Sequence, residues 1–180
     1  LYPVEQWAVA KSLFRVLSRA LVELQFVFAA RNQCDFTELS LLARYALEQD
    51  SGADDLAAAL GARLQHLLVD EMQDTSTSQY NLIQLLTSSW DGHSQTVFLV
   101  GDPMQSIYGF RDANVGLFVA AQRDRRLGSV ALEPLTLLRN FRSRAELVAW
   151  VNRVFPRVLP ARDDAARGAV AFKAAAATRA

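Results

Sequence analysis

Two adjacent acids, Asp70 and Glu71, follow directly on the short apolar run of residues 67–69. Ligands of open α/β sheets bind at the carboxyl ends of strands, where consecutive side chains point in different directions. Asp70 is therefore a candidate for holding Mg²⁺, usually through water, and Glu71 for orienting and deprotonating an attacking water. The alternative is a pair of acids that caps a strand beside a surface turn, but residues 73–76 favour the hydrolytic half of a nucleotide-binding site.

A second apolar run, residues 96–100, ends at Gly101 and Asp102, and Gln105 comes three residues later. A glutamine amide can donate a hydrogen bond to a phosphate oxygen, or hold a water, without ionising. Gln105 is therefore a second candidate for contact with a nucleotide.

The loop that follows contains Tyr108, Phe110 and Arg111. Aromatic rings beside a guanidinium group are suited to stacking on unpaired bases and contacting the nucleic-acid backbone between them. The alternative is that Ile107 and the two rings pack under a loop, and aromatic content alone favours that alternative.

A third segment places Phe141 and Arg142 between the apolar run 135–138 and Ser143. An arginine at a helix N-terminus can stabilise charge on a transferring phosphoryl group, and an aromatic ring can stack on a purine. The alternative is a capped surface helix, which this segment taken alone favours.

The residues ahead of the acidic pair have helical periodicity. We predict one long helix, or two joined ones, over residues 4–30, and a second helix over residues 39–47. Asp35 followed by Glu38 is typical of a helix N-cap. An alanine-rich third helix is predicted over residues 54–64.

Around the acidic pair the periodicity changes to that of strands. Residues 66–69 and 96–100 are continuous apolar runs, typical of parallel strands that are buried on both faces. The helix predicted between them, over residues 78–86, is opened by a capping box of Ser76 and Gln79. These elements are predicted to form a strand–helix–strand unit with a right-handed crossover.

Shorter signals predict the remaining elements. They are a helix over residues 114–122, a strand over 135–138, a strand over 170–172 and a frayed alanine-rich tail. A further helix is predicted to begin at a capping box of Ser143 and Glu146 and to run to residue 154, where Pro156 and Pro160 close it. The predicted fold class is α/β.

Composition excludes several classes of protein. Cys34 is the only cysteine, and His66 and His93 are the only histidines, which excludes a disulfide framework and argues against a Cys/His zinc site. No apolar run approaches the ~18 residues of a membrane span, and the sequence has no signal-peptide pattern. A reducing, cytoplasmic setting is expected.

The net charge of zero conceals an asymmetry. Residues 1–110 hold six basic side chains against thirteen acidic ones, a balance of −7, whereas residues 111–167 hold eleven arginines against six acids, a balance of +5. An arginine-rich half could contact phosphates, because guanidinium groups match phosphate oxygens in pairs. A scatter of solvated surface arginines explains the charge equally well, so charge suggests nucleic acid without establishing it.

In order and spacing, the three segments resemble motifs two, three and four of UvrD/RecB/AddA-type superfamily 1 DNA helicases. Residues 70–76 are similar to D-E-F-Q-D-T-S, residues 101–113 to G-D-x-x-Q-S-I-Y-x-[FW]-R-G-A, and residues 140–143 to N-Y-R-S. Residues 35–39 also resemble the D-F-x-D-L stretch of RecB- and AddA-like members.

Three positions depart from these patterns. Met72 and Phe141 replace a phenylalanine and a tyrosine, and phenylalanine can stack on a base as tyrosine does. Asp112 replaces a glycine, which puts a negative side chain near the implied DNA path and demands a less permissive backbone there.

The resemblance implies a partial RecA-like P-loop NTPase motor domain, with parallel strands and crossover helices, preceded by an all-helical inserted segment. Residues 1–60 would be the end of that helical insertion and its return to the core. Residues 61–130 would be part of the first motor domain, and residues 131–180 the junction to the second motor domain and its start.

The resemblance also implies ATP and Mg²⁺ as cofactors and DNA, single-stranded or 3′-tailed, as a partner, with a nuclease domain or partner subunits allowed. The implied roles are Mg²⁺ coordination by Asp70, base catalysis by Glu71, γ-phosphate contact by Gln105 and Arg142, adenine stacking by Phe141, and contact with single-stranded DNA by Tyr108, Phe110 and Arg111.

The phosphate-binding G-x-x-x-x-G-K-[ST] of such enzymes is missing, since neither Lys11 nor Lys173 follows a glycine. We therefore expect an internal fragment of an ATP-dependent, 3′-to-5′ DNA helicase of recombination or repair. It would couple ATP hydrolysis to translocation along single-stranded DNA and be inactive alone. The alternative is a non-catalytic DNA- or protein-binding relative.

Overall fold

A computed structural model describes residues 3–49 and 63–179. It divides into two compact units, Leu1–Leu42 and Ala43–Ala180. Of the alanine-rich helix predicted over residues 54–64, residues 54–62 lie outside the described part. The domain boundaries at residues 60 and 130 stay predictions.

The first unit contains one long helix and most of a second. Helix α1, Val4–Arg31, is continuous, and helix α2 covers Phe36–Leu47. Helix α2 begins earlier than predicted, but its N-cap is confirmed, because the Glu38 backbone amide donates to Asp35 Oδ1 at 2.7 Å. The Gln25 amide donates to the Glu38 carboxylate at 2.8 Å and joins the two helices.

Helix α1 is 28 residues long. Within residues 3–49 and 63–179, neither it nor any other helix combines the length and apolar character that crossing a membrane requires.

The strand–helix–strand unit is confirmed. Strand β1, His66–Val69, pairs in parallel with strand β2, Thr96–Leu99, and helix α3, Thr77–Leu86, lies between them in sequence. The predicted capping box is present: Ser76 Oγ accepts from the Gln79 amide at 3.3 Å, and the Gln79 side chain accepts from the Ser76 amide at 2.9 Å.

One face of this two-stranded sheet packs on the core. The core residues come from the turn after β1, from α3 and from the segment that follows β2, and they are Met72, Tyr80, Phe118 and Leu127, with Val69, Val97 and Leu99 against them. On the other face, Leu68 is 66% and Phe98 is 59% exposed. The prediction that both faces are buried is therefore wrong, because among the described residues the sheet has only two strands.

Helix α4, Val115–Asp124, confirms the helix predicted over residues 114–122. A short antiparallel pair follows it, strand β3, Arg126–Leu127, with strand β4, Val130–Ala131. Gly116 lies so close to the Ala165 carbonyl that a β-carbon there would collide with it.

The last part of the chain differs from prediction. Strand β5 is Arg139–Arg144 and pairs in parallel with strand β6, Ala176–Arg179, so the strands predicted over 135–138 and 170–172 and the frayed tail were wrong. Residues 135–138 form no strand, and Leu137 is 96% exposed.

Helix α5, Ala145–Val154, follows β5 and ends before Pro156, as predicted. The capping box of Ser143 and Glu146 was wrong. Ser143 lies in β5, its amide donates to Asn140 Oδ1 at 2.8 Å, and the helix N-cap is Arg144, which makes no side-chain capping bond.

Short 3-10 turns connect these elements. They are Met72–Asp74, Pro103–Gln105, Gly109–Arg111 and Phe155–Arg157.

Candidate nucleotide site and its family

Asp70 and Glu71 are exposed and follow β1 at its carboxyl end. The two strand ends stay paired beyond the sheet, since the Met72 amide donates to the Val100 carbonyl at 2.9 Å. Glu71 has a left-handed backbone, with φ of 53°, which turns the chain sharply into the Met72–Asp74 turn. Its amide donates to Asp70 Oδ1 at 2.9 Å.

Gln73 is the best-connected side chain of the site, and sequence reasoning gave it no role. It is only 1% exposed. Its Nε2 donates to Glu71 Oε2 at 2.6 Å and to Asp74 Oδ2 at 3.3 Å, and its Oε1 accepts from the Asp102 amide at 3.0 Å. The amide thus joins the end of β1 to the end of β2.

Asp102 organises the turn that carries Gln105. Its Oδ1 accepts from the Met104 amide at 3.0 Å, which caps the Pro103–Gln105 turn, and its Oδ2 accepts from Gln105 Nε2 at 2.8 Å. Glu71, Gln73, Asp102 and Gln105 are therefore linked by one chain of hydrogen bonds.

The aromatic loop is exposed. Phe110 is 78% and Ile107 is 70% exposed, so these side chains do not pack under a loop. The rings of Tyr108 and Phe110 are 5.9 Å apart, and the Arg111 guanidinium lies 5.5 and 5.4 Å from their centroids. Asp112 adopts a left-handed backbone, with φ of 62°, a conformation that aspartate tolerates better than most residues.

Phe141 and Arg142 lie elsewhere in the same unit. Both are exposed in β5, and Asn140 Oδ1 accepts from the Arg142 amide at 3.0 Å. Arg142 therefore lies in a strand, not at a helix N-terminus as predicted. Among the described residues, no hydrogen bond joins this segment to Asp70 or Glu71.

The donor set at Asp70 suits Mg²⁺ rather than a metal held by protein alone. Among residues 3–49 and 63–179, no three His, Cys, Asp or Glu side chains are grouped as metal ligands. Mg²⁺ binds through one or two carboxylates together with water and substrate phosphates. The exposed Asp70 carboxylate at a strand end meets that requirement.

Two groups in the elements between β1 and β2 have shifted pKa values, one in α3 and one in the loop that follows it. Burial, followed by the charge of Asp124, raises the pKa of Tyr80. A hydrogen bond from the Ser94 hydroxyl, with amide donors from His93 onward, lowers the pKa of Asp91 in the loop between α3 and β2.

Comparison with known families decides the assignment. The profile of the UvrD/REP helicase N-terminal domain matches residues 5–126. The chain belongs to the UvrD/REP helicase family. The profile covers both strand ends of the candidate site and the aromatic loop, and it ends before Phe141 and Arg142.

Curated relatives of this UvrD/REP-family chain are each named as one subunit of an ATP-dependent helicase/nuclease. The protein of Exiguobacterium sibiricum is 34% identical over 165 residues, which is 92% of this chain and 13% of the relative. That of Lactobacillus delbrueckii subsp. bulgaricus is 35% identical over 163 residues, 86% of this chain and 13% of the relative. That of Staphylococcus aureus is 31% identical over 151 residues, 83% of this chain and 12% of the relative. The chain thus spans about an eighth of their length.

Proposed function

We propose that the chain forms part of the ATPase motor of a DNA helicase. One observation carries the proposal: the ends of two parallel strands present Asp70, Glu71 and Gln105, and the last two are joined through Gln73 and Asp102 by hydrogen bonds. Hydrolysis of a phosphoanhydride needs a metal ligand, a base for water and a polar contact to the phosphate at one sheet edge.

Each residue then has a distinct task. Asp70 holds Mg²⁺, Glu71 deprotonates the attacking water, and Gln105 contacts the γ-phosphate. Bound Mg²⁺–ATP supplies the phosphoryl group and the metal's charge. Phe141 stacks on adenine, and Arg142 contacts the γ-phosphate once the second motor domain closes on the first.

The aromatic loop is the proposed DNA contact. Exposed Tyr108 and Phe110 rings flank the Arg111 guanidinium, and this combination binds unpaired bases together with their phosphates. In the proposed full-length protein, residues 1–60 belong to a helical insertion, 61–130 to a RecA-like first motor domain, and 131–180 to the junction with the second.

The names of the relatives suggest a subunit of an ATP-dependent helicase/nuclease. The 3′-to-5′ polarity and the role in DNA recombination or repair are proposed from the resemblance of the motifs. The chain alone lacks the glycine- and lysine-containing phosphate loop, so its own ATPase activity is proposed to be negligible. The second candidate is a non-catalytic DNA- or protein-binding relative, which the exposed aromatic loop would serve equally well.

The test is Glu71→Gln in the full-length protein. Because the amide cannot accept the water's proton, ATP turnover should fall by about 10²–10⁴-fold. Nucleotide affinity should be retained, because the substitution removes no phosphate contact. Steady-state hydrolysis and fluorescent-nucleotide binding measure the two effects.

The matched control is Glu133→Gln, which removes an exposed carboxylate far along the chain from the acidic pair. It should hydrolyse ATP as the wild type does. Normal turnover by Glu71→Gln would contradict the assignment of Glu71 as the base, whereas a wild type without ATP turnover would favour the non-catalytic relative.

A further inference from the structure

Gln73 is buried between the ends of β1 and β2, and its side-chain amide makes hydrogen bonds to residues that follow each strand. Its orientation follows from its neighbours. The Asp102 backbone N–H can only donate, so the amide oxygen must face it, and the Glu71 carboxylate then receives the NH₂ group. The glutamine amide donates and accepts hydrogen bonds from one rigid plane.

The surroundings hold this amide in place. A β-carbon on Gly101 would lie 2.6 Å from Gln73 Oε1 and 3.1 Å from the Met72 amide nitrogen, so the glycine makes room for the side chain. The Gln73 carbonyl also accepts from Ser106 Oγ at 3.3 Å. Both the side chain and the backbone of Gln73 are therefore held by hydrogen bonds.

Two of the side-chain hydrogen bonds of Gln73 act on two different functional groups. The first reaches one carboxylate oxygen of Glu71, which fixes the plane of that carboxylate. The second reaches the Asp102 backbone, and the Asp102 side chain holds Gln105 Nε2 at 2.8 Å. A shift of Gln73 would thus move Glu71 relative to Gln105.

We propose that Gln73 is a positioning residue that sets the Glu71 carboxylate relative to Gln105 for ATP hydrolysis. This inference rests on the proposed function, since it acts through the base and the phosphate contact assigned there. A misplacement of about 1 Å in such a pair can cost about 10²-fold in rate.

Gln73→Met in the full-length protein removes all three side-chain hydrogen bonds of this residue at nearly constant volume. We expect kcat for ATP hydrolysis to fall by at least about tenfold, while KM for ATP changes by less than about threefold, because Gln73 does not itself contact the nucleotide. Thr87→Val is the matched control: Thr87 is also 1% exposed and donates to the Ile83 carbonyl in α3. It should lower the melting temperature and leave kcat unchanged.

A second variant covers the case in which Gln73→Met fails to fold. Gln73→Glu keeps the shape and the acceptor toward Asp102 but places a carboxylate against Glu71, so kcat should fall similarly. A kcat equal to that of the wild type in either folded variant would overturn the proposal. Gln73 would then have only a structural role, joining the ends of β1 and β2.

A double-mutant comparison separates this proposal from the assignment of Glu71. If Gln73 acts through Glu71, adding Gln73→Met to Glu71→Gln should lower the residual turnover no further. A second loss of the same size as in the wild type would overturn the positioning role alone. Normal turnover by Glu71→Gln, or a wild type that does not hydrolyse ATP, would overturn the proposed function and this inference together.

Discussion

At the scale of single residues, the candidate site depends on tight packing as much as on its charged groups. The amide of Gln73 fits only because residue 101 has no side chain. The sequence predicted Asp70, Glu71 and Gln105 as candidates, because their types and their places after apolar runs are local signals. It gave no signal for the role now proposed for Gln73, because its partner Asp102 is 29 residues away.

Gly101→Ala should destabilise the chain by about 1–3 kcal/mol, since its β-carbon would press on Gln73, Met72 and Phe118. Gly109→Ala is the matched control, because a β-carbon there meets nothing within 4 Å. It should change stability by less than about 0.5 kcal/mol. Urea denaturation followed by circular dichroism measures both, and equal stability of the two variants would contradict the packing argument.

At the scale of elements, local signals predicted the helices and strands that position the acidic pair. Caps and periodicity marked α2, α3, α4, β1 and β2. Strand β6 was missed because alanine has a low preference for strands, and β5 was missed because Phe141 is the one apolar residue of Arg139–Arg144. What makes β6 a strand is distant in sequence: the Asn152 side chain makes two hydrogen bonds to the Ala175 backbone, and Thr178 Oγ1 donates to the Asn140 carbonyl.

The loop between α3 and β2 should make stability depend on pH. Asp91 Oδ2 accepts from Ser94 Oγ at 2.7 Å, and Oδ1 accepts from the His93 and Ser94 amides at 2.8 and 2.9 Å, which lowers the pKa of the carboxyl. Its folded pKa lies below the unfolded value of about 3.9. The ionised form therefore contributes stability above about pH 4, and that contribution is lost as the pH falls through the folded pKa.

Asp91→Asn should therefore lower the melting temperature at neutral pH, and its difference from the wild type should shrink as the pH falls below about 4. Ser94→Ala, which removes the hydroxyl donor, should show the same trend with a smaller amplitude. Thermal unfolding of the wild type and the variants, from neutral pH to below about pH 4, measures these differences in melting temperature. A difference that does not depend on pH would contradict the role of the charge.

At the scale of the whole chain, the exposed side of the β1–β2 sheet stands out. Continuous apolar runs predicted a sheet covered on both faces, which is the pattern of a complete parallel sheet. Among the described residues the sheet has two strands, and one of its faces is covered by the core. Sequence could not reveal this, because the composition of a strand does not give the number of strands that pair beside it.

The uncovered face should make the chain self-associate. Leu68, Phe98 and Val100 are exposed there beside open strand edges, which favours edge pairing and apolar contact. Phe98→Glu should lower self-association without loss of folding. Val97→Glu is the control: it puts a charge into the core face and should unfold the chain. Sedimentation equilibrium measures association, and unchanged association of Phe98→Glu would contradict the role of this face.

The backbone of Glu71 also limits how the protein can be engineered. Its φ of 53° is a conformation that glycine adopts without steric cost and asparagine at little cost, whereas glutamate is held there by its surroundings. A library selected for thermal tolerance alone would drift toward those two residues and lose the proposed base. Selection for turnover would keep the glutamate, so position 71 has to be exempt from any search for a more robust variant.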